Sequence, residues 1–273
     1  MSRRPKARRR GGTAGGEEPA AERQAAAPAA PVDPQVPIFE LLPAFEEERP
    51  ARLDPDPVAR VTLDEASAPG KQLRLLATRV SALGRDKRLR RIGVVGSEAG
   101  EGASTVALGL ASALSQDRKL RVLLLELDLR RPSLDEQLGL RPPAIGVRQY
   151  LAGSSEIPVV RLAQPQGFWL LSAGSEAGVM GRDLSSPRLA PLLRAADRVF
   201  DYVVADCHPL LADGSAASLQ GALDGFVLVV HSRRAARETI RRAAHTLRPE
   251  LLVGLVLNAQ RDLLFRGKPA HRR

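Results

Sequence analysis

The stretch that most constrains this chain is Val94-Val95-Gly96-Ser97-Glu98-Ala99-Gly100-Glu101-Gly102-Ala103-Ser104-Thr105. An apolar run, Ile92 to Val95, feeds a glycine-rich turn, and Val106, Leu110 and Leu114 follow four apart on one helical face. Strand, glycine turn and helix start are the parts of a phosphate-binding loop. Its backbone N–H groups and the positive end of the helix point at one spot and attract an anion. Gly100 and Gly102 carry no Cβ, which lets a phosphate come close to the backbone. Laid over the pattern G-x-x-x-x-G-K-[ST], residues Ser97 to Ser104 match at Gly102 and Ser104. Ser97 stands where the first glycine would be, and Ala103 stands where the lysine would be. That lysine brings a point charge to the β- and γ-phosphates, and alanine has none to bring. On the loop alone, a nucleotide site and a tight turn that merely starts a helix are equally good readings.

Beyond the loop the chain alternates between two periods. Arg121 to Asp128 reads as a buried strand with two acids, Glu126 and Asp128, at its C-terminal end, followed by Arg130, Arg131 and Pro132. Gly146 to Gly153 reads as a short helix and turn, and Phe168 to Ser172 as another apolar run. Leu189 to Phe200 is helical, with Leu189, Leu192, Leu193 and Ala196 on one face. Tyr202 to Asp206 is a strand that also ends in an acid. A strand over Phe226 to Val230, a helix presenting Ala236, Ile240, Ala243 and Leu247, and a last strand over Leu251 to Leu257 close the series. Upstream of the loop, Leu73, Leu76 and Val80 mark a helix between Gly70 and Gly84. Strands alternating with helices predict an α/β fold: a three-layer, P-loop NTPase-like sandwich with a mainly parallel sheet and helices on both faces.

Ligands of such sheets bind at the strand C-terminal ends, where the loop, Glu126, Asp128 and Asp206 are expected to gather. Acids placed there hold Mg²⁺, directly or through water, and orient a nucleophile. Ser104 is the expected hydroxyl ligand, with Asp128 and Asp206 as the carboxylate ligands, and Glu126, Asp128 and Asp206 as the catalytic acids. The bland alternative is a buried acid paired with a nearby arginine.

Composition sets the surroundings. Among 273 residues, six Phe, two Tyr and one Trp leave the core to aliphatic side chains. No apolar run reaches the ~18–20 residues of a membrane helix. The basic N-terminus lacks the apolar segment of a secretory signal. A single cysteine, Cys207, excludes an internal disulfide and fits a reducing compartment, so a soluble cytoplasmic protein is expected. Residues 1–30 are Arg, Gly, Ala and Pro with few large apolar side chains, the composition of a disordered tail. Residues 31–60 add prolines and acids and read as a linker. The expected organisation is therefore a tail and linker over 1–65, a nucleotide-binding domain over 66–260 and a basic tail over 261–273. The formal charge is +10. Charges cancel over residues 1–60, so the excess lies beyond them, in clusters at Arg85-Lys87-Arg88-Arg90-Arg91 and Arg233-Arg234-Arg237-Arg241-Arg242. Such clusters meet phosphates, nucleic acid or anionic lipid, or form a solvated surface.

From about Pro69 to Asn258 the sequence resembles the cytoplasmic domain of the bacterial tyrosine kinases of capsule and exopolysaccharide synthesis (BY-kinases), relatives of the ParA/MinD ATPases. Gly100 to Thr105 sits where that family has GEGKST. Leu123 to Pro132 resembles its second acidic motif, a hydrophobic triplet followed by D-x-D-x-R. Val203 to Pro209 resembles its third, a hydrophobic run followed by D-x-x-P. Gly146 to Gly153 and Leu184 to Leu189 are similar to its connecting segments. The resemblance implies ATP and Mg²⁺ as cofactors. Gly100, Glu101, Gly102, Ala103, Ser104, Thr105 and Arg130 would surround the nucleotide, and Asn258 falls where related ATPases contact the base. The cytoplasmic segment of a membrane polysaccharide polymerisation or export protein would be the partner, recruiting the chain to the inner membrane face.

The departures are systematic. Ala103 replaces the lysine, Glu126 replaces an aspartate, and His208 stands where the family usually has proline. The E-x-x-R-x-x-R oligomerisation pattern falls on Lys71, Arg74 and Ala77, so only its middle residue survives and any homo-oligomer is weakened. The C-terminal tyrosine cluster is missing, and the chain's tyrosines are Tyr150 and Tyr202. Three readings result. The first is a regulatory homologue that binds ATP weakly and has impaired phosphotransfer. The second is an active tyrosine autokinase using a substitute cation. The third is a ParA-like positioning ATPase that binds DNA through Arg234, Arg237, Arg241 and Arg248 on one side of its basic helix.

Overall fold

The computed structural model describes residues 50–87, 89–154, 160–162, 167–175, 184–212 and 216–259. The tails expected over 1–30 and 261–273 lie outside the described residues.

Four apolar runs form the centre of the sheet: β2 (Arg91–Gly96), β3 (Val122–Leu127), β6 (Tyr202–Cys207) and β7 (Gly225–His231). They are buried along almost their whole length, as strands covered on both faces must be. With β5 (Trp169–Leu171) and β8 (Leu252–Asn258) they make six parallel strands in the order β5-β3-β6-β2-β7-β8. The edge beyond β5 is extended by β4 (Val160–Leu162), antiparallel to β5, and by β1 (Pro50–Ala51), parallel to β4.

Helices cover both faces. On one side lie α3 (Ala103–Ser115) and, outside it, α1 (Pro57–Leu63) and α2 (Ala68–Lys87). On the other lie α6 (Leu189–Val199), α7 (Ala216–Ala222) and α8 (Arg237–Thr246). Two short helices, α4 (Leu134–Gln137) and α5 (Val147–Leu151), sit in the connections that follow β3. The fold is the three-layer, mainly parallel α/β sandwich that the periodicity predicts, with one antiparallel pair at the edge.

α3 is apolar all round because it is buried all round. The sheet lies beneath it and α1 and α2 lie above it. Gly109 makes room for the outer layer: a Cβ there would stand 2.2 Å from Leu73 Cδ1 and 2.7 Å from Thr62 Cγ2.

The linker expected over 31–60 needs correction from Pro50 onward. Pro50 and Ala51 enter the sheet, and Ala59 and Leu63 are buried. The N–H groups of Asp54 and Asp56 donate to the Leu138 and Gln137 carbonyls at 3.1 and 2.9 Å. Asp56 also caps α1, its Oδ1 accepting from Ala59 N–H at 2.7 Å, with Pro57 at the first helical position. Proline-rich composition masked a short, well-capped helix that packs as the outermost layer of the domain.

Gly109→Val should lower stability by about 1–3 kcal/mol, because the added carbons meet Leu73 and Thr62 in a packed layer. Thermal denaturation followed by circular dichroism reads this as a drop in Tm with an unchanged folded-state spectrum.

Candidate nucleotide site

The loop between β2 and α3 is shaped from inside by Glu101. This side chain is buried, and its carboxylate accepts from the Ser97 N–H, from the Ser97 hydroxyl at 2.7 Å and from the Glu98 N–H at 3.1 Å. Gly100 and Gly102 take φ of +82° and +88°, in the left-handed region that favours glycine. A Cβ on Gly100 would project into open space, whereas one on Gly102 would stand 2.0 Å from Asn258 Nδ2. The loop is therefore open to solvent at Gly100 and pressed by the end of β8 at Gly102. No side chain caps α3.

Asn258 plays a part that its sequence position did not disclose. Its Nδ2 donates to the Glu101 carbonyl at 2.9 Å, and its Oδ1 accepts from Ala259 N–H at 2.8 Å. The amide expected to contact a base is thus engaged in bracing the loop backbone.

The acids gather as expected. Glu126 and Asp206 are register partners across the β3–β6 pair, and both are fully buried. Glu126 Oε2 accepts from the N–H groups of Ser133 and Leu134 at 3.2 and 3.0 Å, capping α4 from within the core. Its Oε1 and both oxygens of Asp206 are buried without a hydrogen bond of normal geometry. Burial pushes Asp206 up to about 7, against the lowering influence of the Ser104 hydroxyl and of Glu126 beside it. Burial, followed by the neighbouring Asp206 charge, holds Glu126 well above the ordinary carboxylate range. Both shifts favour the protonated form of a carboxyl in this corner. Buried carboxylate oxygens without donors, beside a hydroxyl, suit a hard divalent cation, so the residues present fit Mg²⁺. Among the described residues no cluster of three or more His, Cys, Asp or Glu would hold a metal unaided.

Asp128 sits two residues after Glu126, just past the end of β3. Its Oδ1 accepts from the N–H groups of Arg130 and Arg131 at 3.2 and 3.0 Å, which turns both arginines back over the strand end. The segment after β6 is drawn to the loop by two main-chain bonds. Leu210 N–H donates to the Gly96 carbonyl at 3.0 Å, and Leu211 N–H to that of Ser97 at 3.3 Å. A cavity of about 390 Å³ results, walled by Ser97, Glu98 and Ala99 on the loop side, by Asp128, Arg130 and Arg131, and by His208. Thr105 points away, its Oγ1 donating to Gln137 Oε1 at 3.4 Å. Ala103, at the first turn of α3, offers no polar atom beyond its backbone.

A buried arginine supports this arrangement from below. Arg148 on α5 donates from Nε (3.0 Å) and Nη2 to the carbonyl of Leu129, the residue between Asp128 and Arg130. Its Nη1 donates to the Gly174 carbonyl at 3.3 Å. Sequence reasoning placed Arg148 only in a connecting segment, because a charged residue on a short helix carries no sign that it will be fully buried.

The fold is the P-loop NTPase-like one. The MinD protein of Pyrococcus horikoshii, solved with Mg-ADP, superposes with a TM-score of 0.52 over 62% of this chain and 70% of its own, at 21% identity. More particularly, the homologues of this chain are bacterial tyrosine-protein kinases. Bacillus subtilis tyrosine-protein kinase YwqD is 26% identical over 80% of this chain and 92% of its own length. The succinoglycan biosynthesis transport protein ExoP of Rhizobium meliloti is 29% identical over 62% of this chain but only 22% of its own. The kinase domain of Escherichia coli tyrosine kinase ETK shares the fold, with a TM-score of 0.67 over 82% of this chain and 86% of its own, at 22% identity. No protein-family model matches the chain.

Because the folded pKa of Asp206 lies above its unfolded value, its ionisation weakens the ligand-free fold as pH rises toward about 7. Asp206→Asn removes that penalty. The variant should melt higher than the wild type at pH 8, with the gap closing toward pH 4, and should lose any stabilisation by Mg²⁺. Melting curves across this range, with and without MgCl₂, make the comparison.

Proposed function

We propose that this chain is a nucleotide-binding, regulatory relative of the capsule and exopolysaccharide tyrosine kinases, binding ATP–Mg²⁺ weakly and transferring little or no phosphate. The observation that carries the reading is a retained magnesium corner, Ser104 beside the donor-poor carboxylates of Asp206 and Glu126, next to a loop whose lysine position is Ala103. In this reading the backbone of Gly100 to Thr105 cradles the phosphates. Ser104, Asp128 and Asp206 hold the ion, directly or through water. Glu126 holds α4 and lies beside Asp206. When bound, Mg²⁺ would neutralise phosphate charge. Without the lysine the transferring phosphoryl loses a charge that such reactions rely on. Residues ahead of 66 also belong to the folded part, since Pro50 and Ala51 pair in the sheet and Ala59 and Leu63 are buried.

The partner is drawn from the relatives. ExoP is a transport protein of succinoglycan biosynthesis, so we assign this chain to the cytoplasmic segment of a membrane polysaccharide polymerisation or export protein. Among the described residues no helix is long and apolar enough to cross a membrane, so membrane association would come from that partner.

Particular observations weigh against the other two readings. Tyr150 is 0% exposed, which leaves half-buried Tyr202 as the one tyrosine with any access for an autokinase. The basic helix is shorter than its arginine series: α8 spans Arg237–Thr246, leaving Arg234 and Arg248 off its ends. Arg241 pairs with Glu238 at 2.7 Å, and Arg248 is tied to the Gln220 carbonyl at 2.8 Å. The surviving arginine of the oligomerisation pattern is also occupied, since Arg74 pairs with Glu65 at 2.8 Å, and Ala77 is buried in the domain's own core.

Calorimetric titration of ATP–Mg²⁺ should give weak binding by the wild type and binding tightened by about ten- to a hundredfold in Ala103→Lys, the worth of one charged hydrogen bond. Steady ATP turnover abolished by Asp128→Ala would overturn the regulatory reading. Phosphotyrosine lost in Asp206→Ala would favour the autokinase, and salt-sensitive DNA retardation the positioning ATPase.

A further inference from the structure

We propose that the α8–β8 end of the sheet is a docking face for an anionic lipid bilayer, with arginines of α8 at the headgroups and Leu255 and Leu257 of β8 at the acyl boundary. The inference is independent of the nucleotide-binding reading. It adds a lipid contact to the partner contact assigned above.

β8 is the last strand of the sheet, with β7 as its neighbour on the inner side. Leu255 and Leu257 stand opposite Leu228 and Val230 in register. Those two belong to the core on the α6–α8 side, so the leucines project from the same face of the sheet as α8. They are 47% and 55% exposed. α8 sits on that face by burying Ala243 and Leu247 at its inner side and C-terminal end, and its outer side is arginine. From Ser232 to Glu250 the chain has six arginines against two glutamates. Both glutamates are engaged, Glu238 by Arg241 at 2.7 Å and Glu250 by Arg248 at 3.9 Å. Arg233, Arg234, Arg237 and Arg242 are exposed and have no acidic partner among the described residues. A groove on the Leu211 side of α8 is lined by Glu238, Arg242 and Thr246. Arg237 lies half a turn round the helix from Thr246, which directs it toward β8 and the two leucines.

Charge and apolar surface together select the partner. An excess of arginine attracts any polyanion, and the attraction falls with salt. Exposed leucines add nothing on a phosphate backbone. A bilayer uses both: acidic headgroups meet the guanidinium groups, and leucine side chains enter the boundary beneath them. Single-stranded nucleic acid is gripped by stacking on aromatic rings, and residues 232–259 contain no Phe, Trp or Tyr. A basic face with two leucines binds reversibly, because stable attachment takes two signals, and the membrane partner is the second. None of these side chains lines the cavity beside the loop, so lipid and nucleotide use separate surfaces.

The test is flotation of the full chain with vesicles of phosphatidylcholine, with and without phosphatidylglycerol, at low and high salt. The wild type should float with the anionic vesicles alone and be released by salt. Arg233→Glu combined with Arg237→Glu should weaken binding by about tenfold or more. Leu255→Ser combined with Leu257→Ser should weaken it severalfold, and both pairs should keep the wild-type circular dichroism spectrum, since all four side chains are exposed. An environment-sensitive dye on Leu257→Cys should shift blue on anionic vesicles, with Cys207, 2% exposed, left unlabelled. A wild type that ignores anionic vesicles, binding unchanged in both paired variants, a dye that does not shift, or a loss produced by Arg8, Arg9 and Arg10 to Gln but not by the α8 pair would overturn the inference. So would duplex DNA bound more tightly than the vesicles, weakened by the arginine pair and indifferent to the leucine pair, which would assign the face to nucleic acid.

Discussion

Two carboxyls buried side by side at the ends of neighbouring strands govern this molecule. Glu126 and Asp206 face each other across β3 and β6 in strict register, and neither sees solvent. Carboxylates in such a place are costly unless something neutralises them. For Glu126 part of that cost is met by the two N–H groups at the start of α4, and burial raises the pKa of both acids. Everything else at the sheet's C-terminal end is arranged around that corner. Asp128 turns the chain back over it, the β6 exit folds down onto the loop, and Ser104 comes in from α3. A core that only needed stability would do better with apolar side chains of the same volume. The persistence of two acids there is what separates a ligand site from a turn that starts a helix.

Much of this was legible in the residues. The centre of the sheet could be read because β2, β3, β6 and β7 are unbroken apolar runs, and because each of the critical acids comes at a run's end. The parallel arrangement then brings those ends together without further information. The approach of Asp206 to Ser104 follows from β2 and β6 being neighbours, with Val94 opposite Asp206. What was not legible depends on contacts across long stretches of chain. Asn258 reaches Glu101 across 157 residues, and a terminal asparagine on an edge strand looks the same whether it meets a base or a backbone. Arg148 is buried to hold one carbonyl, yet on paper it is an ordinary surface charge. The helix α1 was hidden by composition: Asp56 and Pro57 are a cap and a first position, but they sit among prolines that suggested a linker.

Departures from the kinase pattern are not spread evenly over the molecule. The buried acids at the strand ends and their supports are present, whereas the loop lysine, the oligomerisation pattern and an accessible Tyr150 are replaced or already occupied. Ala103 has no charge, Arg74 is spent on Glu65, Ala77 is packed inside, and Tyr150 is sealed in the core. A chain that had merely lost function would be expected to lose the costly buried acids first. This one keeps them, which supports the binding role proposed above.

The Glu101 carboxylate has one more implication. By taking the N–H groups of Ser97 and Glu98, and with Asn258 clamping its own carbonyl, it gives the loop its curvature before anything arrives. An incoming nucleotide does not have to freeze a wandering segment, so little conformational freedom is lost on capture. A site that has surrendered a charge can still be worth visiting when its shape is ready-made, and ligands should enter and leave it without waiting for the protein to rearrange.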